Sequence, residues 1–402
     1  MKYTKYVLLL LIIAISSCKN EPQQIGEDNT IKVFGTLKGL DVPYIFIDYT
    51  HEITGDRVWD TVYVKNEHFS YTTEIKNTKR IAIWPLLERK DKKASSGKNE
   101  RIEFLVKPGD VIEFKGNVTE TFNAVPTGNS LSNDMNSFNK SVEHLSKKSA
   151  EIMGRMRALQ IKLMNDKSFD PTKGMPASLA IDSDSLKTIG NEINIVKKQF
   201  IKDNPKSEVS AFYLSNMVRL KYLDDDEALN LLESFDNSVK TSPFYIEVAT
   251  RLKGSEATKA GSLVPELVTN RTLDGKQFDL KSLRGKYVVI DFWGTWCGPC
   301  VAEMPTVKEY SEKYKDKLVI VGVNSGDTKQ KIEDFVSSKG YEWIQLMSKK
   351  GVNDDNFVSK FNISGFPTKF IIDPDGIIVE KYIGGSEDAF IKLDELLNKL
   401  KI

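Results

Sequence analysis

Hydrophobic and polar positions change their period twice along the chain. From Ile31 to Val125 they alternate in short runs, "IKVFGTL", "YIFIDYT", "DTVYVKN", "HFSYTTEI", "RIEFLV" and "VIEFKG", separated by turns rich in Gly, Pro, Asn and Lys. A period of two belongs to half-buried strands, so this pattern predicts a small all-β domain over 31–125, a sandwich or partial barrel. Past Gly128 the apolar residues step by threes and fours: Leu131, Met135, Phe138, Val142, Leu145, Ile152, Met156, Leu159 and Leu163, with Ser149 filling one step. That spacing predicts one long helix with a narrow apolar seam. Leu186, Ile189, Ile193, Val196 and Phe200 repeat it after the break "DPTKGMPAS". Two such helices bury their seams against each other as an antiparallel hairpin; a dimerising coiled coil, giving a homodimer, is the alternative. A third helical block, Ser207 to Lys253, completes a helical region over 126–255.

After the small-residue linker "KGSEATKAGS" the pattern changes again. "YVVIDFW", "KLVIVGVN", "TKFIID" and "IIVEKYI" have the composition of buried strands, and helical stretches alternate with the first three, one from the cysteines onward and then "KQKIEDFVSS" and "NDDNFVSKF". The last two are joined by "DPDG", a turn that makes them an antiparallel hairpin. A final helix past Ser386 would bury Phe390, Leu393, Leu397 and Leu400. Residues 263–402 therefore form an α/β domain around a central, partly parallel sheet.

Charge adds little to this picture: 57 Lys and Arg against 56 Asp and Glu leave a net charge of +1, which does not recruit nucleic acid. The basic stretch "ERKDKKASSGKNER" is expected to be a solvated loop between strands. The N-terminus changes the picture more. Lys2 and Lys5 precede "VLLLLIIAI", too short for a membrane span of roughly 20 residues but suited to the apolar part of a secretory signal. The run ends in "SSC", like the cleavage site of a lipoprotein, although Ile15 stands where Leu is usual. Residues 1–17 are then a signal peptide, Cys18 the lipidated first residue of the mature chain, and the polar 18–30 segment a tether.

Removing Cys18 leaves two of the three cysteines, both in "WGTWCGPC". They fall between the strand "YVVIDFW" and a helix. Free amides and the positive end of a helix dipole favour a thiolate there, so Cys297 is expected to ionise more readily than a thiol of pKa about 8.5 and to be the exposed attacking sulfur. Cys300, one turn deeper, resolves the mixed disulfide, and Pro299 suits the first helical turn. A metal site needs further ligands, and this domain has no other Cys and no His, so no metal is expected; an inert structural bridge is the remaining alternative. His51, His68 and His144 are read as surface residues.

"VVIDFWGTWCGPCVAEMP" followed by "ISGFPTKFIIDPDGIIVEKYIGG" resembles the thioredoxin superfamily, and within it the TlpA-like and ResA-like exported thiol-disulfide oxidoreductases. The resemblance covers Leu263 to the C-terminus and implies a thioredoxin fold there. It makes Cys297 the attacking and Cys300 the resolving thiol, Pro367 a cis-proline facing them, and Trp296, Gly298, Pro299, Phe366 and Thr368 the lining of a partner groove. Pro305 matches a proline that kinks the helix; Trp293 reads as core packing. Asp291 matches thioredoxin's buried acid and Glu303 an acid of ResA-like members. Having both departs from either pattern and leaves open which acid handles the proton of Cys300, with Asp291 favoured. The upstream half is similar to lipid-anchored members that carry an N-terminal β domain followed by helices.

The resemblance implies an exported, membrane-tethered thiol-disulfide oxidoreductase of the periplasm-facing cell envelope, with the outer membrane favoured over the inner. It needs no cofactor beyond its own redox-active disulfide. Reduction is the expected direction, since the Gly-Pro pair is that of thioredoxin, near −270 mV. Expected partners are disulfide-containing envelope proteins, a membrane thiol electron donor, and the membrane itself through lipid on Cys18; cytochrome c maturation is one implied route. A peroxiredoxin-like peroxidase is the alternative, but its motif would put Thr and Pro where Gly294 and Ile290 stand. A binding scaffold with an accessory redox domain is a third reading.

Overall fold

The computed structural model describes residues 29–50, 57–85, 89–90, 93–94, 101–118, 124–166, 176–351, 353–385 and 387–398. The apolar N-terminal run, Cys18, the tether up to residue 28, His51 and most of the basic 88–101 stretch lie outside the described residues.

The alternating segments form β1 (Thr30–Lys38), β2 (Tyr44–Thr50), β3 (Arg57–Lys65), β4 (His68–Glu74), β5 (Lys79–Trp84), the short pair β6 (Arg89–Lys90) and β7 (Lys93–Ala94), β8 (Ile102–Val106), β9 (Val111–Asn117) and β10 (Val125–Thr127). In β1 the period of two puts Ile31, Val33 and Leu37 inside and Lys32, Thr36 and Lys38 outside. Eight strands make one sheet in the order β10-β9-β1-β4-β3-β2-β5-β8. Helix α1 (Ser130–Ser141) packs on both outermost strands, β8 and β10, and so closes a partial barrel. Asn129 caps it by accepting from the Ser132 amide at 2.7 Å.

The seam from Leu131 to Leu163 is not one helix. Val142 leaves helical geometry at φ −107°, and α2 (Glu143–Asn165) starts after it. The break lets Leu131, Met135 and Phe138 enter the barrel core. Leu145 and Ile152 instead meet Ile189 of α3 (Ala177–Asp203). The two seams thus find each other within one chain, and Arg155 pairs with Asp182 across them at 2.8 Å. Helices α4 (Glu208–Arg219), α5 (Asp225–Glu233) and α6 (Pro243–Ala257) follow. One apolar core runs from Ile31 to Val248, so residue 125 separates strands from helices but not one core from another.

The C-terminal unit contains β11 (Val268–Thr269), β12 (Phe278–Asp279), β13 (Tyr287–Trp293), α7 (Gly298–Lys313), β14 (Leu318–Ser325), α8 (Lys329–Lys339), β15 (Ile344–Ser348), α9 (Phe357–Lys360), β16 (Thr368–Ile372), β17 (Ile378–Ile383) and α10 (Asp388–Asn398). Its five-stranded sheet has the order β15-β14-β13-β16-β17, parallel from β13 to β15 and antiparallel at β16 and β17. This is a thioredoxin fold, with apolar clusters on both faces of the sheet. The edge strand β15 was not legible in the sequence because Gln345 and Ser348 interrupt its apolar run.

The expected linker is docked. Helix α6 extends to Ala257, and beyond it Gly261 N donates to Ile378 O at 2.8 Å and Val264 N to Gly376 O at 2.9 Å. No helix among the described residues is long and apolar enough to cross a membrane.

Candidate functional site

The central strand β13 carries buried apolar residues up to Trp293, which is fully buried, donates to Gln345 Oε1 at 2.9 Å and rests on Phe335. Core packing accounts for it. The chain then turns through Gly294, where a Cβ would stand 2.4 Å from Trp296 Nε1. Only glycine lets the indole fold back over the turn. Trp296 is half-exposed; it donates to Ser325 O at 2.8 Å and meets the Phe366 ring edge-on at 5.1 Å.

Cys297 is the N-cap of α7 and is joined to Cys300 by a disulfide, with Cα atoms 5.3 Å apart. The Cys300 amide donates to Cys297 Sγ at 3.2 Å, so a free helix-terminal N–H already points at this sulfur. Contrary to the expected exposure, Cys297 is only 5% accessible and Cys300 3%. Gly298 and Pro299 are exposed instead, and Phe366 packs on the cluster that holds both cysteines. Pro305 lies inside α7.

The Phe366-Pro367 peptide is cis. Phe366 is half-buried and packs on the cysteine cluster. Thr368 is completely buried, its hydroxyl donating to Gly365 O at 2.8 Å, so its side chain offers no surface to a groove.

Behind the disulfide, Asp291 on β13 pairs in register with Lys369 on β16. The Lys369 ammonium, itself buried, donates to Glu303 Oε2 of α7 and lies 3.5 Å from Asp291 Oδ1. Asp291 Oδ1 accepts no hydrogen bond from any described residue. Burial pushes the Asp291 carboxyl above its ordinary range, with Lys369 opposing and the Glu303 charge adding to the shift. Asp291 therefore has a raised affinity for a proton, held in check by the ammonium 3.5 Å away.

A family model described as Redoxin matches residues 259–399. The thiol-disulfide oxidoreductase ResA of Bacillus anthracis is 35% identical over 146 residues, which are 36% of this chain and 80% of that protein. ResA of Bacillus subtilis is 33% identical over 139 residues, 34% of this chain and 75% of that protein. This chain belongs to the ResA family of thiol-disulfide oxidoreductases. Among solved structures, the thioredoxin domain of a thiol-disulfide oxidoreductase from Bacteroides vulgatus is 25% identical with a TM-score of 0.31, covering 35% of this chain and 98% of that one.

Two residues of this ResA-family site escaped the sequence reading. Lys369 stood inside a segment read as an apolar strand, and only the strand register shows that it faces Asp291. Asp327 is the other. Its side chain is 1% exposed, and it accepts from the Thr295 amide and hydroxyl, both at 2.7 Å, from Asn324 Nδ2 at 2.9 Å and from Lys331 at 2.6 Å. Burial alone would raise its pKa, but these donors together hold it below the ordinary carboxylate range. Asp327 thereby anchors the residue before Trp296. The "NSGD" turn that presents it was the available signal.

Proposed function

We propose that this ResA-family chain is an exported, lipid-tethered reductase of disulfides in cell-envelope proteins. The observation that supports it most is the Cys297–Cys300 disulfide at the N-terminus of α7, backed by a buried Asp291–Lys369–Glu303 cluster.

In the reduced protein, Cys297 attacks one sulfur of a partner disulfide as a thiolate, stabilised by the Cys300 amide and the helix terminus. A mixed disulfide forms and the partner's first sulfur leaves as a thiolate. Cys300 then loses its proton and attacks Cys297 Sγ; the internal disulfide closes and the partner's second sulfur leaves. Two electrons pass to the partner, and a membrane thiol carrier must return two. Asp291 is the acceptor we assign for the Cys300 proton, because burial raises its affinity for a proton above that of an ordinary carboxylate. Glu303, held by Lys369, keeps the ammonium in place.

Gly298, Pro299, Trp296 and Phe366 are the side of the couple that a partner would meet. Export and lipid attachment at Cys18 rest on the N-terminal sequence. Alkylating thiols in intact cells before lysis tests the direction of the reaction: a pool with Cys297 and Cys300 mostly reduced is expected, and a fully oxidised pool refutes the reductase reading.

A further inference from the structure

Helix α6 packs against the redox unit at the end of α9 and the segment that leads into Pro367. Gly254 faces the end of α9 so closely that a Cβ would lie 2.4 Å from Lys360 O and 3.0 Å from Ser359 O. One turn earlier Arg251, buried to 6% exposure, donates to Ile363 O at 3.3 Å, and Glu247 holds its guanidinium at 3.1 Å. Glu247 also accepts from Ser215 on α4 at 2.8 Å, so the chain of contacts starts inside the helical core. Ile363 lies three residues before Phe366, the ring against Trp296 and the cysteine cluster.

We infer that the helical region is part of the partner-recognition apparatus: α6, through Arg251 and Gly254, sets the position of the 363–367 loop and hence of Phe366 beside the disulfide. A loop between two anchors moves less than one held at a single end. Here Ile363 O is held by Arg251 at the entrance, and Pro367 O accepts from Gly384 N at 2.8 Å at the exit. Arg251 and Gly254 are positioning residues, remote from the reacting sulfurs. This rests on the reading of the Phe366–Pro367 loop as one wall of the partner groove.

The test compares a folded protein substrate, insulin, with a small disulfide, 5,5′-dithiobis(2-nitrobenzoate), which meets the sulfurs without a groove. In the full chain, Arg251→Met and Gly254→Ala are expected to lower the ratio of insulin to small-disulfide turnover about fivefold through KM, the scale of one lost buried hydrogen bond. Arg251→Lys, which keeps a donor, recovers part of it. Amide exchange over 363–367 speeds up in the same variants. Phe366→Ala serves as the reference for the groove. If it lowers the ratio while the α6 variants leave both ratio and exchange unchanged, the inference is overturned. If Phe366→Ala itself leaves the ratio unchanged, the groove reading fails.

Discussion

Lys369 stands directly across the β13–β16 ladder from Asp291, and its ammonium separates that carboxyl from Glu303. Two acids this close in a buried site repel if both ionise, and the lysine between them lets one keep its charge. The arrangement assigns different tasks to the two acids: Glu303 holds the ammonium by a direct hydrogen bond, and Asp291 is left to exchange a proton.

Lys369→Met therefore leaves two facing carboxyls without a cation. Breaking a buried ion pair in this way costs about 3–5 kcal/mol. Urea denaturation at pH 7 should show that loss, shrinking towards acid pH as the carboxyls protonate. Adding Asp291→Asn should restore more stability than independent effects allow, since the two residues are in contact. Additive effects would show that the pair is not coupled.

Asp291 holds its proton to higher pH in the folded state than in the unfolded one. The folded chain consequently binds more protons than the unfolded chain above the unfolded carboxyl value of about 3.9, and stability falls as pH rises through that window. Asp291→Asn removes this dependence: between about pH 5 and pH 8 its stability in urea should change less than the parent's, and disulfide exchange should slow. A variant whose stability follows pH as the parent's does would contradict the assignment of a buried protonatable acid.

For Asp327 the sign is opposite. Its folded pKa is depressed, so its contribution is present above the unfolded value of about 3.9 and is lost as pH falls below it. Asp327→Ala strands the Thr295 amide and hydroxyl and should cost about 2–4 kcal/mol at pH 7. The difference from the parent should close in acid; a pH-independent difference would mean that the carboxylate charge is not what holds the turn.

Gly294→Ala pushes a methyl into the Trp296 indole and displaces it from Phe366. Loosening Phe366, which packs on the cysteine cluster, should speed reduction of the Cys297–Cys300 bond by dithiothreitol several-fold, measured by stopped-flow tryptophan fluorescence. An unchanged rate would show that Trp296 does not shield the couple.

Much of this site was legible in sequence because its chemistry is local. The cysteines, Pro299 and the strand-to-helix step lie within one short stretch, and the "DPDG" turn declares the β16–β17 hairpin. What escaped depends on contacts between distant segments. The helix break at Val142 follows from the need of Phe138 and Leu145 to face different cores. Cys297 is buried in a cluster built with Ile332, Val336 and Phe366, all distant along the chain. Likewise "KGSEATKAGS" has a linker's composition, yet its first half completes α6, and Gly261 and Ser262 pair with Ile378 of β17. Lys369 could be placed beside Asp291 only once the strand register was known.

The proposed exchange depends on unequal sulfurs, with Cys297 attacking and Cys300 resolving. Incubating reduced Cys300→Ser and Cys297→Ser variants with insulin and resolving the products by non-reducing electrophoresis tests it most directly. A stable mixed disulfide through Cys297 is expected in the Cys300→Ser protein and none in Cys297→Ser; accumulation of a mixed disulfide on Cys300 instead would reverse the assignment.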